Sequence, residues 1–377
     1  MRNQYEMGVK LKGITNQNIL DLMPDKSVQS LEETLKKYGP ERVVRLASNE
    51  NPFPVPRNVS EAIKSEISSL NLYPDSGKYC LQKRISEYNR VRIGNVVLGP
   101  GSAEITRIIV VTYLKPGEKV LIPKSTFPFY KIAAVQNGGK DAIVETGLDN
   151  EYRIDLDEML RLILRDEKIK IIFIANPNNP TGTILSKTKL QDFIDQVPEN
   201  RIIVLDNAYQ EYVMDPDNYL DGIDLALNRK NIIVLRTFSK IYALAGLRIG
   251  YGISNKETIS YLQRAVTPYC LTSLSQKAAF TSLENDDFRD RSAALNRKNM
   301  EILYKQLSET GIKVIPSAAN FLSFFPEVDI KDLYDRLIRE GVLIAQLQPF
   351  GIPDGMRVTI GTEEDNSYFV EKLKKIL

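Results

Sequence analysis

Lys240 stands where a β-branched apolar run, Ile232 to Leu235, gives way to Thr237, Phe238 and Ser239, and Arg248 follows eight residues later. Such a run reads as a buried strand. A lysine at its end is partly desolvated, which disfavours the ammonium form and lowers its pKa. A neutral amine attacks carbonyls and forms Schiff bases. The hydroxyls of Thr237 and Ser239 and the guanidinium of Arg248 together suit a phosphate. The stretch also reads as an ordinary strand-to-helix turn carrying a surface lysine, with Ala243, Ala245, Gly246 and Gly250 keeping the backbone slim.

The chain has no histidine, so Ser-His-Asp and Cys-His catalysis and every histidine-bearing metal site are excluded. Its two cysteines, Cys80 and Cys270, make neither a disulfide framework nor a zinc centre. Near neutral pH the protons must then be moved by Lys, Tyr or a carboxylate. An aldehyde cofactor with a phosphate handle answers to this lysine and its neighbours, and pyridoxal phosphate is the candidate.

Other stretches supply further groups. In Asn95–Glu104 a strand runs through Gly99-Pro100-Gly101 into a helix opening at Ser102. The backbone N–H groups of Ser102, Ala103 and Glu104 then make a phosphate seat, although glycine-rich turns before helices are common. Phe127 by itself reads first as a core aromatic, and it also suits stacking on a flat ring. The strand KIIFIA ends in NPNNPTG, a tight loop at the carboxyl end of a strand, where open α/β sheets bind ligands; there Asn179 offers its amide to a ring oxygen. The strand Arg201–Leu205 ends in Asp206, with Tyr209 three residues on. A carboxylate there keeps a pyridine nitrogen protonated, and a tyrosine tunes the ring's phenolate oxygen. Asp206 also fits a helix N-cap. Asn51 faces a ligand or, preceding Pro52, only forms a turn. Tyr73 lies in an exposed loop. Arg357, in MRVTIGT, suits a bidentate clamp on a substrate carboxylate or a surface ion pair.

The elements that hold these groups follow from periodicity. Strands alternate with helices from about residue 93 to 265, which predicts an α/β domain with a mostly parallel sheet between helices. Past Arg264 the pattern changes to a smaller α+β domain: a helical region Ser275–Glu284, a long helix Asp287–Thr310, strands Lys313–Ile315 and Phe321–Phe325, helix Ile330–Glu340, strands Val342–Ala345 and Met356–Ile360, and a final helix. Near the start, Ser27–Tyr38 reads as an amphipathic helix, Val43–Leu46 as a short strand and Val59–Leu70 as a helix. The expected organisation is an N-terminal arm (1–50) packing with the small domain, a large cofactor domain (51–265) and a small domain (266–377). A length of 377 residues suits this, and a net charge of +2 calls for neither nucleic acid nor an anionic membrane. No apolar run has the length of a membrane span, and the first residues lack a secretory signal's apolar core, so the cytoplasm is expected.

In order, GPGSAE, NPNNPTG, strand-Asp-x-x-Tyr, Ser-Lys with its arginine and RVTIGT resemble the fold-type I pyridoxal-phosphate aminotransferases. LASNENP, YPD, FSKIYALAGLRIGYG and SAANF resemble the histidinol-phosphate aminotransferase group within them. The resemblance covers nearly the whole chain from about Leu20. It implies that Lys240 is the Schiff-base lysine and proton shuttle, with Asp206 on the pyridine nitrogen. Tyr209 and Asn179 would hold the ring oxygen, and Phe127 would stack on the ring. The amides of Ser102, Ala103 and Glu104 would hold the phosphate together with Thr237, Ser239 and Arg248. Tyr73 would reach a neighbouring subunit's cofactor phosphate in a homodimer with shared sites. Asn51, Asn320 and Arg357 would contact substrate.

Three departures bear on the substrate. Leu22-Met23-Pro24-Asp25-Lys26 lacks the group's tyrosine, Ala345 stands where an arginine is usual, and Val266-Thr267-Pro268-Tyr269-Cys270 replaces Arg-x-Pro-Phe-Asn. Two cations lost from a phosphate pocket cost several kcal/mol, at roughly 1.5–3 per hydrogen bond to a charged group. This argues for an aromatic or apolar amino acid, its α-carboxylate on Arg357 and its side chain among Leu22, Val266, Tyr269 and Ala345, with 2-oxoglutarate as the partner. Histidinol phosphate itself, and decarboxylation on the same fold, are the alternatives.

Overall fold

The computed structural model describes residues 13–22, 36–40, 42–75 and 78–377. Met23 to Lys26, Gly77 and all but the last three residues of the expected Ser27–Tyr38 helix lie outside them. The chain contributes a short strand β1 (Val44–Arg45) and then seven strands of one sheet. These are β2 (Val96–Gly99), β3 (Lys119–Pro123), β4 (Lys140–Val144), β5 (Ile169–Ala175), β6 (Ile202–Asp206), β7 (Ile232–Thr237) and β8 (Gly250–Ile253). Their spatial order is β2-β8-β7-β6-β5-β3-β4, and only β8 runs antiparallel to its neighbours.

Strand residues alternate between two apolar layers because successive side chains point to opposite faces. Ile172, Ile174, Ile203, Leu205, Ile232 and Val234 pack into one layer, against the helices Leu156–Arg165 and Lys187–Gln196. Ile171, Phe173, Val204, Ile233 and Leu235 pack into the other, against helix Gly101–Tyr113. Both faces are covered, so the central strands carry no polar stripe.

The smaller unit holds β9 (Lys313–Ile315), β10 (Phe321–Phe325), β11 (Val342–Leu343), β12 (Ala345–Gln346) and β13 (Met356–Thr359). Four of these form an antiparallel sheet, β12-β13-β10-β9. The strand expected over Val342–Ala345 is divided. Val342 and Leu343 pair in parallel with β1, whereas Ala345 lies across from Arg357 in the four-stranded sheet.

Packing crosses two of the expected boundaries. Helix Ser273–Ser282, beyond the expected boundary at 265, packs on the large unit's helices: Ala278, Ala279 and Leu283 share an apolar cluster with Val59, Leu81, Ile85 and Phe238, which Ala319 and Phe321 also join. Within the arm, Val44 and Leu46 enter the small unit's core, but helix Gln17–Leu20 lies against helix Phe129–Gln136 of the large unit.

Candidate active site

The carboxyl ends of β5, β6 and β7 and the start of helix Gly101–Tyr113 open on one cleft of about 240 Å³, closed from the small unit by Phe350 and Arg357. It is the edge where parallel sheets place their ligands. Another groove, larger, lies between helices Leu156–Arg165 and Lys187–Gln196, away from these groups.

Lys240 follows β7, and its Nζ donates to the Ser48 carbonyl at 2.9 Å. Desolvation, and after it the positive charge of Arg357, push its pKa down to about 7. A substantial share of neutral amine therefore exists at physiological pH. Asp206 ends β6 with 6% of its surface exposed. Burial raises its pKa above the ordinary carboxylate value, opposed by hydrogen bonds from the Tyr130 hydroxyl (2.7 Å) and the Ala208 N–H (3.1 Å). Tyr130 is fully buried and stacked on Phe173, and its ring meets Phe127 edge-on.

At the other end, Ser102 and Ala103 line the cleft, and no side chain caps the start of their helix. Unpaired N–H groups at a helix start favour an anion. The backbone there is too close for side chains. A Cβ on Gly250 would sit 2.6 Å from the Ser102 nitrogen, and one on Gly101, at φ +81°, would sit 2.8 Å from Nη2 of Arg248. Arg248 donates to Ser239 Oγ (3.4 Å) and to the Ala245 carbonyl (2.9 Å), beside Thr237. Between the cation-and-amide end and the buried acid there is room for a flat ring flanked by Phe127. The donor set, the close glycines and the lysine fit pyridoxal phosphate.

At the substrate end Arg357 is 5% exposed and donates to the side-chain oxygen of Asn179 and to the Ala47 carbonyl (2.9 Å). Its guanidinium lies between the rings of Phe321 and Phe350, at 5.1 and 5.2 Å from their centroids. Desolvation lowers its pKa to about 10, so it remains cationic at neutral pH.

The cleft thus gathers Ser102, Ala103, Phe127, Asn179, Asp206, Tyr209, Thr237, Ser239, Lys240, Arg248 and Arg357. Other expected residues stand elsewhere. Asn51 is a turn brace: its oxygen accepts from the Phe53 N–H (3.0 Å) and its amide donates to the Ile241 carbonyl (2.9 Å). Asn320 donates to the Asn49 carbonyl and does not line the cleft. The Glu104 side chain accepts from Arg107 at 2.9 Å, while the expected role is that of its backbone N–H in the first turn of helix Gly101–Tyr113. Tyr73 is exposed and its ring meets that of Tyr269 at a tilt of 34°, centroids 4.8 Å apart. Leu22, Val266 and Tyr269 do not line this cleft, nor does Ala345, which lies across the sheet from Arg357. Val266 packs with the helical layer and Tyr269 faces Tyr73. Sequence reading passed over Asn49, Tyr130 and Phe350. Tyr130 lies in the first turn of the helix that follows Phe127, and nothing local in the sequence marked its contact with Asp206.

A large, mostly parallel sheet with a Schiff-base-competent lysine and a buried acid at its carboxyl edge defines a pyridoxal-phosphate enzyme of the aminotransferase type. Residues 41–373 match the model for aminotransferase class I and II, and the chain belongs to that family. Among curated relatives, histidinol-phosphate aminotransferase 1 of Idiomarina loihiensis is 36% identical over 96% of this chain and 97% of its own. The histidinol-phosphate aminotransferase of Caldicellulosiruptor saccharolyticus is 37% identical over 92% of this chain and 95% of its own. Histidinol-phosphate aminotransferase from Sinorhizobium meliloti, solved with pyridoxal-5'-phosphate, shares the fold at TM-score 0.86 and 23% identity, covering 97% and 98% of the two chains.

Proposed function

We propose that this aminotransferase moves the amino group of histidinol phosphate to 2-oxoglutarate. The carrying observation is that Lys240, held near neutral pKa, and buried Asp206 line one cleft whose substrate end presents Arg357. Bound pyridoxal phosphate supplies the electron sink for the pair left at the substrate's α-carbon. Asp206 would hold the pyridine nitrogen protonated. Asn179 and Tyr209 would hold the ring's phenolate oxygen, and Phe127 would cover one ring face. Ser102, Ala103, Thr237, Ser239 and Arg248 would hold the phosphate. Lys240 Nζ would hold the cofactor's aldehyde carbon and, once freed by the substrate amine, would accept the proton from the substrate's α-carbon. Arg357 would grip the substrate's anion in both half-reactions.

The substrate reading rests on the names of relatives that match nearly end to end. One observation favours an ordinary amino acid instead: the residue across the sheet from Arg357 is Ala345, which adds no second cation. A donor panel with 2-oxoglutarate decides between them. Histidinol phosphate should exceed phenylalanine, tyrosine and leucine in kcat/KM by a wide margin; a preferred amino acid overturns the reading.

We also infer a homodimer of the cytoplasm. Exposed Leu70, Leu72 and Tyr73 form, with Tyr269, an apolar surface suited to a second copy, across which Tyr73 would reach the partner's cofactor phosphate. Cys80 and Cys270 are unpaired, as a reducing compartment keeps them. Sedimentation of the holoenzyme as a monomer would refute the dimer.

A further inference from the structure

Asn49 has a backbone φ of +55° and 1% of its surface exposed. Asparagine is among the few residues that adopt this left-handed conformation readily. Every polar group of the residue is engaged. Its N–H donates to Thr359 Oγ1 (2.9 Å), and its carbonyl accepts from Asn320 Nδ2 (3.0 Å). Its side-chain oxygen accepts from the Thr359 hydroxyl (3.3 Å), which leaves Nδ2 as the atom 3.0 Å from the Tyr209 hydroxyl oxygen. With the Thr359 hydroxyl donating to Oδ1, the amide nitrogen of Asn49 is the end that faces Tyr209. A phenol oxygen that accepts from an amide keeps its own proton for a different acceptor. The Tyr209 ring is pinned edge-on against Phe321, and the residue lines the cleft.

We propose that Asn49 is a positioning residue that aims the Tyr209 proton into the cleft, at the cofactor's phenolate oxygen, and that it is anchored for this by Thr359 of strand β13, which also carries Arg357. The inference rests on the placement of Tyr209 at that oxygen given under the proposed function. Thr359 stands two residues after Arg357 on β13. Seating of the substrate arginine and polarisation of the ring oxygen are therefore both anchored on one strand. The charged groups facing Tyr209 are Asp206 from β6, Arg357 from β13 and Lys240, whose Nζ lies 5.7 Å from the ring centroid. Asn49 adds a neutral, directional donor.

The test is a spectrophotometric pH titration of the cofactor's visible band in holoenzyme, alongside the dissociation constant for pyridoxal phosphate. A donor on the phenolate oxygen weakens that oxygen's hold on the Schiff-base proton, so loss of the donor raises the pH midpoint. Asn49→Asp presents only acceptors and turns the Tyr209 proton away from the ring. Asn49→Gly keeps the backbone conformation and only removes the amide. The midpoint should rise by about one unit in Asn49→Asp, the equivalent of one hydrogen bond to a charged group, and by less in Asn49→Gly. In a Tyr209→Phe background most of the Asn49→Asp shift should vanish. An unchanged midpoint in Asn49→Asp, or a shift of the same size in both backgrounds as the added charge alone would give, overturns the proposal. If Tyr209→Phe alone leaves the midpoint unmoved, the placement of Tyr209 beneath it fails as well, which separates the two failures.

Discussion

The Tyr130 hydroxyl donates to Oδ2 of Asp206 at 2.7 Å, across 76 residues of sequence. The acid lies at the carboxyl end of β6, and the phenol reaches it from the first turn of helix Phe129–Gln136. A buried carboxylate resists ionisation. A charge-assisted donor on one oxygen and a backbone N–H on the other favour the anion that a protonated pyridine requires.

Tyr130→Phe removes that donor and nothing else of the ring packing. Catalysis should fall by roughly 10-fold or more, on the scale of one hydrogen bond to a charged group at about 1.5–3 kcal/mol. The fall should appear in kcat, with KM little changed, in steady-state assays with the preferred donor.

Lys240 sets the pH dependence of loading. Below about pH 7 the amine is a cation and does not attack an aldehyde, so covalent capture of pyridoxal phosphate by apoenzyme should quicken as pH rises through about 7. Burial holds the folded-state value below the ordinary 10.5, so between those pH values the unfolded chain binds more protons than the folded one. Apoenzyme should therefore gain stability from this group as pH rises from about 7 to 10.5. Lys240→Met should abolish borohydride labelling and flatten that part of the profile in denaturant titrations.

Arg357 lowers the Lys240 pKa by its charge. Arg357→Gln should move the loading midpoint to higher pH. It should also raise KM for anionic substrates about 10-fold or more, through loss of charge-assisted hydrogen bonds at about 1.5–3 kcal/mol each. A KM that stays at the native value would remove Arg357 from the substrate.

Two glycines near the lysine should behave oppositely. A Cβ at Gly250 would meet backbone atoms of Ser102, Gly101 and Arg236 at 2.6–2.9 Å, and none of these is a flexible side-chain end. Gly250→Ala should cost about 1–3 kcal/mol of stability, as overpacking does, and weaken cofactor binding by displacing the helix start. Nothing lies within 4 Å of a Cβ at Gly246. Gly246→Ala should stay within about 0.5 kcal/mol of the native protein. Thermal unfolding and cofactor titration read both.

Asn51 braces a turn against Ile241. Asn51→Ala should lower stability by about 1 kcal/mol, for hydrogen bonds of this kind, and leave KM near the native value. A KM effect as large as that of Arg357→Gln would return Asn51 to the substrate.

The sequence alone determined what is local. A β-branched run ending in Ser-Lys, a proline-fixed turn at a strand end and an acid closing the next strand are each written within a few consecutive residues. Backbone geometry then carries Lys240, Asn179 and Asp206 to the same sheet edge. Tertiary structure decided what depends on distant partners. Asn49 and not Asn51 faces the cleft, because a left-handed residue 160 positions before Tyr209 turns its amide there. Tyr130 found Asp206 through packing on Phe173, which no periodicity shows. Leu22, Val266 and Tyr269 were placed at the substrate by order along the chain, but none of them lines the cleft; Ala345 stays across the sheet from Arg357. Helix Ser273–Ser282 packs on the large unit's helices for the same reason: its amphipathic pattern records that a face is buried, not against what.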